Sequence, residues 1–237
     1  MEQQYLRTAM LLGEDAIQRL KTKHVAVFGI GGVGSFCAEA LARAGVGALT
    51  LVDDDVVSES NINRQLIALH STVGKPKTQV MAERIADINP SCVVTELPCR
   101  YEAADRDRFF STSYDFIADA IDSVTSKIDL IMTALQRQIP IISSMGTGNK
   151  LDPSRFVITD LSKTSGCPLA RIMRRELRNR SILHHKVLYS EEPPMKPLLL
   201  DHAAPGKYTV PGSVSWVPSC AGLMLAGFII QQLLSVE

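Results

Sequence analysis

Short apolar, β-branched runs at 24–30, 48–52, 92–97, 115–120 and 140–144 have the length and composition of strands. Between them, apolar residues three and four apart predict helices at 35–44, 77–88, 103–110 and 123–137. Alternation of this kind predicts an α/β fold: a doubly wound, Rossmann-like, mostly parallel sheet with helices on both faces. Residues 1–21 read as an N-terminal helical arm. Pro76 suits the first turn of the 77–88 helix, where its missing N–H costs nothing, and Asn89-Pro90 closes that helix.

Beyond Gly146 the rhythm changes. A strand is expected at 155–159, a helix at 168–180 and a short strand at 186–189. Residues 191–212 hold five of the twelve prolines and read as a long loop. The stretch 214–236 is mostly apolar but contains Pro218, Ser219, Gln231 and Gln232. Its helical part, from Ala221, falls short of the roughly 20 apolar residues a membrane span needs. It reads as a buried core helix, with no stable membrane association. The expected organisation is an arm (1–22), a nucleotide-binding core (23–150) and a C-terminal extension (151–237). That extension completes the same domain and carries a basic helix and the long loop.

With 46% hydrophobic residues the chain can bury a sizeable core, and its zero net charge leaves attraction to nucleic acid to local patches. The five cysteines form no C-x-x-C pair, which excludes a zinc knuckle or a thioredoxin-type redox centre. No basic start leads into an apolar run at the N-terminus, and a reducing cytoplasm is the expected compartment.

The chemistry concentrates where the first strand ends. In GIGGVG, glycines 29, 31, 32 and 34 let the backbone turn and approach a ligand, and the following helix offers its N-terminus to an anion. Asp53 ends the second strand nineteen residues after Gly34, near the spacing of a ribose-binding acid in dinucleotide folds. Asp54 and Asp55 follow it. Next come Asn61, Asn63, Arg64, Gln65, Lys75 and Lys77, expected near the carboxyl ends of the strands. So many phosphate-seeking groups suit cleavage of a triphosphate better than hydride transfer. IADAIDS (117–123) reads as a strand leading to Asp119 and Asp122, placed for a divalent metal bound to phosphates. Asp122 can equally cap the next helix.

GIGGVG, LVDDD, SNINRQ, VGKPK and AIDS, in this order, resemble the adenylating domain of the ubiquitin-activating enzyme superfamily. Its bacterial members include adenylyltransferases of molybdopterin and thiamine biosynthesis. The resemblance spans roughly 7–144. It implies that Gly29, Gly31, Gly32 and Gly34 pack on ATP and that Asp53 holds the ribose. It also implies phosphate contacts from Asn61, Arg64 and Lys77 and a magnesium ion at Asp122, with Asp55, Asn63, Gln65 and Ser123 nearby. Arg7, in LRTAMLLG, matches an arginine that crosses a homodimer interface to the partner's ATP. The resemblance thus gives Arg7, Arg64, Lys77 and Asp122 catalytic roles. On its own, Arg7 is equally a surface residue of the arm.

The second half lacks the two zinc-binding C-x-x-C pairs of molybdopterin-type relatives. TDLSKTSGCPLARIMRRELRNR, KVLYSEEPP and GSVSWVPSCAGLMLAG resemble the tRNA threonylcarbamoyladenosine dehydratases. That family implies ATP-dependent activation of the threonyl carboxylate and ring closure with loss of water. It implies tRNA as substrate and a sulfur-relay protein among the partners. Some members have Asp where this chain has Cys167. Arg171, Arg174, Arg175 and Arg178 fall at i, i+3, i+4 and i+7, one helical face, and Glu176 is the one acid between Lys163 and Lys186. RNA phosphates would be drawn to such a face, which is otherwise simply solvated. Cys167 reads as an inert small apolar residue or as a thiolate acceptor of the acyl group. Two rival functions stand beside the dehydratase: adenylation of the C-terminal Gly of a sulfur-carrier protein, and a nicotinamide-dependent or non-catalytic nucleotide-binding protein.

Overall fold

The computed structural model describes residues 2–198 and 211–235. The N-terminal arm is α1 (Leu6–Leu12) and α2 (Glu14–Lys21). It is not one helix, because Gly13 adopts φ 87°, outside helical geometry, between them. There follow β1 (His24–Phe28), α3 (Gly34–Ala44), β2 (Ala48–Val52), α4 (Lys77–Ile88) and β3 (Val93–Leu97). Next come α5 (Arg106–Phe109), β4 (Phe116–Asp119), α6 (Val124–Gln136) and β5 (Ile141–Ser144). The chain ends with β6 (Phe156–Asp160), α7 (Pro168–Arg178), β7 (Lys186–Ser190) and α8 (Trp216–Ser235). The helix expected at 103–110 is a 3-10 turn (Ala103–Asp105) followed by the single turn of α5.

One seven-stranded sheet has the order β3-β2-β1-β4-β5-β7-β6. All neighbours pair in parallel except β6 with β7. The strand order reverses between β1 and β4, which opens a crevice at their carboxyl ends. One apolar layer packs Leu41, Met81 and Leu225 against one face, and a second packs Phe109, Ile131 and Met173 against the other. Two-sided burial explains why β1 and β4 read as continuous apolar runs.

The helix expected from Ala221 starts five residues earlier, at Trp216. Pro218 lies in its first turn, where the absent N–H has no helical partner to lose. At 20 residues, α8 is therefore long and apolar enough to span a membrane by length and composition. Its packing argues for a core helix. Val217, Ala221, Leu225, Ala226, Ile229 and Leu233 are buried. Gly222 lies so close to α3 that a Cβ would sit 2.3 Å from the Val33 carbonyl. Residues 199–210 of the expected 191–212 loop lie outside the described residues.

Candidate functional site

A cavity of 390 Å³ occupies the crevice at the β1/β4 switch. Its floor is the turn after β1. Gly29 has φ 87°, and a Cβ there would stand 2.7 Å from the Ala120 carbonyl; a Cβ on Gly34 would collide with the Gly29 carbonyl. Gly29 thus seats the turn on β4, and Gly34 closes α3 onto it. Gly29, Gly31 and Gly32 line the cavity, whereas Gly34 lies beneath it.

Asp53, Asp54 and Asp55 leave β2 at the cavity wall. Asp53 accepts hydrogen bonds from the Ile30 N–H (2.6 Å) and the Asp55 N–H (2.9 Å), so the acid braces the glycine turn. Burial pushes its carboxyl up from its ordinary value, against the pull of Lys77 and those two N–H groups. Lys77, 4% exposed, sets its ammonium 2.6 Å from Asp55 and 3.9 Å from Asp53. Asp54 faces Arg100 at 3.3 Å. The three carboxylates stand close enough to share a cation, but each already has a basic partner.

Asn61, Arg64 and Gln65 line the cavity from the loop before α4. Asn61 accepts from the Ser58 N–H (3.1 Å). Arg64 donates to the Ser60 carbonyl and to Asn63 Oδ1, both at 2.8 Å, which orients its guanidinium. Gln65 is 8% exposed, and its Oε1 has no hydrogen-bond partner among the described residues. A buried unpaired acceptor is costly unless a ligand or water satisfies it. Asn63 does not line the cavity: its Nδ2 donates to the Ser213 carbonyl (2.9 Å). Lys75 also stays outside.

Asp122 and Ser123 line the cavity before α6. Ser123, not Asp122, caps that helix through the Ser126 N–H. Asp122 is exposed and has no ion pair among the described residues, which leaves its carboxylate available to a hard cation beside phosphates. Asp119 is different. It is fully buried, and it accepts from Lys127 Nζ (2.8 Å), Ser143 Oγ (2.5 Å) and the Ile121 N–H (3.1 Å). It holds the Ala120–Asp122 turn from below and is no metal ligand. Ser143 also meets His185 Nε2 at 2.8 Å.

Cys99, Arg100 and Tyr101, just beyond β3, also line the cavity, as do Thr147, Ser213 and Pro218. The first three follow a strand end and were open to the same positional rule. Ser213 and Pro218 come from distant sequence, with no local signal. Cys167 is 4% exposed, precedes α7 and does not line the cavity, which favours its core reading over a thiolate acceptor.

On α7, Ala170, Met173 and Leu177 face inward. Arg171, Arg175 and Arg178 are exposed. Arg174 departs from that face: it is half-buried and donates to the Thr164 carbonyl and hydroxyl, both at 2.6 Å. Arg175 and Arg180 both pair with Glu176, at 2.9 and 3.1 Å. Arg7, on α1, is exposed and does not line its own chain's cavity. On the same helix Leu6, Met10, Leu11 and Leu12 are exposed, Met10 at 73% and Leu11 at 87%.

A glycine turn on a helix N-terminus, an acid behind β2 and cations at the switch point define a nucleotide-binding α/β protein. The ThiF family model matches residues 5–236, and the chain belongs to that family. Within it the chain is 45% identical to the tRNA threonylcarbamoyladenosine dehydratase of Bacillus subtilis over 243 residues, covering 99% of this chain and 96% of that protein. Its structure superimposes on the Escherichia coli tRNA N6-threonylcarbamoyladenosine dehydratase TcdA in complex with ATP, with TM-score 0.89 and 35% identity, covering 98% and 94% of the two chains. The AMP complex of the same enzyme matches with TM-score 0.89 and 36% identity.

Proposed function

We infer that this chain is an ATP-dependent tRNA threonylcarbamoyladenosine dehydratase acting through carboxylate adenylation. The observation that carries this reading is the full-length identity to a dehydratase, joined to a cavity whose glycine turn and cations suit ATP. The sulfur-carrier alternative has no comparable full-length support.

The threonyl carboxylate of the modified adenosine attacks the α-phosphorus of ATP, and pyrophosphate leaves. Arg64 and Lys77 neutralise charge developing on the phosphates, and Asp53 holds the ribose. Magnesium, when bound, would be held by Asp122 and would supply further charge neutralisation. The ureido nitrogen then attacks the activated carbonyl carbon. The ring C–N bond forms, the C–O bond to AMP breaks, and the carboxylate oxygen departs on AMP. The nitrogen loses its proton, so the substrate loses the elements of one water. Nucleophile and electrophile share one molecule, so effective molarity on the order of 10⁵ M removes the need for an enzyme nucleophile. This agrees with the burial of Cys167.

Arg7 acts across a homodimer interface that covers the apolar residues of α1. The exposed arginines of α7 engage tRNA phosphates. Mass spectrometry of nucleosides from threonylcarbamoylated tRNA, incubated with protein and ATP–Mg²⁺, tests the function. ATP-dependent loss of one water is expected. An unchanged nucleoside on tRNA known to carry the precursor would defeat the reading.

A further inference from the structure

The cavity runs along the strand order. Asp53 lies behind β2, the glycine turn and Asp122 at β1 and β4, and Thr147 behind β5. Strand spacing puts β5 roughly 14 Å from β2. If the nucleoside occupies the β2 end and the phosphates the switch point, the β5 end is left for the acyl substrate. This assignment rests on the adenylation reading.

That end is tied together by hydrogen bonds between segments distant in sequence. Asn149 adopts φ 58°, a left-handed conformation that Asn tolerates better than most residues. Its N–H donates to the Gly212 carbonyl (2.7 Å), and its Oδ1 accepts from the Gly212 N–H (2.7 Å). Its carbonyl accepts from the Met195 N–H (2.8 Å). From the other side, Asn63 Nδ2 holds the Ser213 carbonyl. Trp216 Nε1 donates to the Leu151 carbonyl (2.7 Å), so the turn after β5 also anchors the start of α8. The result is a short segment, 212–213, held between two loops, with Ser213 and Thr147 as polar groups in the cavity wall.

We propose that Asn149 is a positioning residue for the acyl substrate. Through Gly212 it sets Ser213 into a wall, shared with Thr147, against which the threonylcarbamoyl group lies with its carboxylate toward the α-phosphate. Asn63 serves the same wall, which accounts for its place outside the nucleotide-lining set.

Asn149→Gly keeps the left-handed backbone and removes the side-chain acceptor; Asn149→Asp keeps both. The ATP Kd by calorimetry, and kcat and KM for threonylcarbamoylated tRNA, separate the two halves of the cavity. Asn149→Gly is expected to lower kcat/KM for tRNA by about 10- to 100-fold, with the ATP Kd within twofold of wild type. Asn149→Asp is expected to recover most of that loss. Ser213→Leu, which leaves the strut intact, should block turnover and spare ATP binding, so the test survives a poorly folding glycine variant. ATP affinity falling in step with turnover would assign the wall to the nucleotide and overturn the proposal. So would wild-type tRNA kinetics in Asn149→Gly or Ser213→Leu. A wild-type protein that binds ATP but never cyclises the nucleoside would instead defeat the dehydratase reading itself.

Discussion

Lys77 is built into the fold at the point where the proposed chemistry would use it. Its ammonium is nearly inaccessible, yet it stands between Asp53 and Asp55 at the cavity wall, so its charge is both balanced and aimed. Lys77→Met removes a preorganised cation and leaves two carboxylates facing each other. A loss of about 10²- to 10³-fold in kcat/KM for ATP is expected, in the range found for removing one preorganised electrostatic group. Pyrophosphate release reads this directly, and a change under threefold would remove Lys77 from the phosphate site. Asp122→Asn should act on magnesium alone. The Mg²⁺ concentration for half-maximal rate should rise about tenfold or more, with nucleotide affinity in EDTA unchanged. The place of both residues at the cavity was legible beside GIGGVG and LVDDD, because open α/β sheets gather their ligand-binding residues at the carboxyl ends of the strands. Asp119 was misread for the same reason: nothing in IADAIDS reveals that Lys127, the fourth residue of α6, reaches back to neutralise it.

At the scale of elements, α7 and β7 carry separate tests. On α7, Arg171 and Arg178 are exposed and have no ion-pair partner among the described residues, whereas Arg174 is tied to Thr164. Arg171→Gln with Arg178→Gln should weaken tRNA binding and reduce the slope of log K against log salt by about two, one per lost phosphate contact. An unchanged slope would mean a solvated face. Just before β7, burial and the Lys127 charge push the His185 imidazole down to about 3. The unfolded chain takes up that proton near pH 6.5 and the folded chain does not. This contribution to stability is therefore complete above pH 6.5 and is lost as pH falls toward 3, at up to about 1.4 kcal/mol per pH unit. Urea midpoints at pH 7.5 and 5.0 should diverge more in wild type than in His185→Gln; equal shifts in the two proteins would refute this account. Helical periodicity exposed the arginine stripe, but which arginine turns inward depended on the Leu161–Thr164 turn that α7 packs against.

At the scale of the whole molecule, the role proposed for Arg7 requires a second subunit. Arg7 does not line its own cavity and sits on a helix whose Leu6, Met10, Leu11 and Leu12 are exposed. Four exposed apolar residues on one short helix are the basis for proposing a subunit contact there. Leu11→Arg is expected to shift the protein from dimer to monomer in analytical ultracentrifugation. Arg7→Ala should keep the dimer and lower the rate of pyrophosphate release. A wild-type protein that sediments as a monomer while fully active would remove the in-trans role.

Periodicity and punctuation along the chain determined the layer architecture. Alternating strand and helix patterns admit few packings that bury both sheet faces, and glycine, acid and cation spacing placed a nucleotide at the strand ends. Local pattern also misled where local cost was the criterion. Pro218 looked like a boundary, yet it falls in the one turn of α8 that needs no N–H. Tertiary structure decided which charges are free and which distant residues share a wall. Asp119 meets Lys127 because α6 packs back on β4, and Asn63 and Asn149 meet Ser213 and Gly212 because the loops after β2 and β5 and the approach to α8 converge at the carboxyl ends of the strands. These pairings span from 8 to 150 residues and cross from one element to another, so no spacing within a single element encodes them.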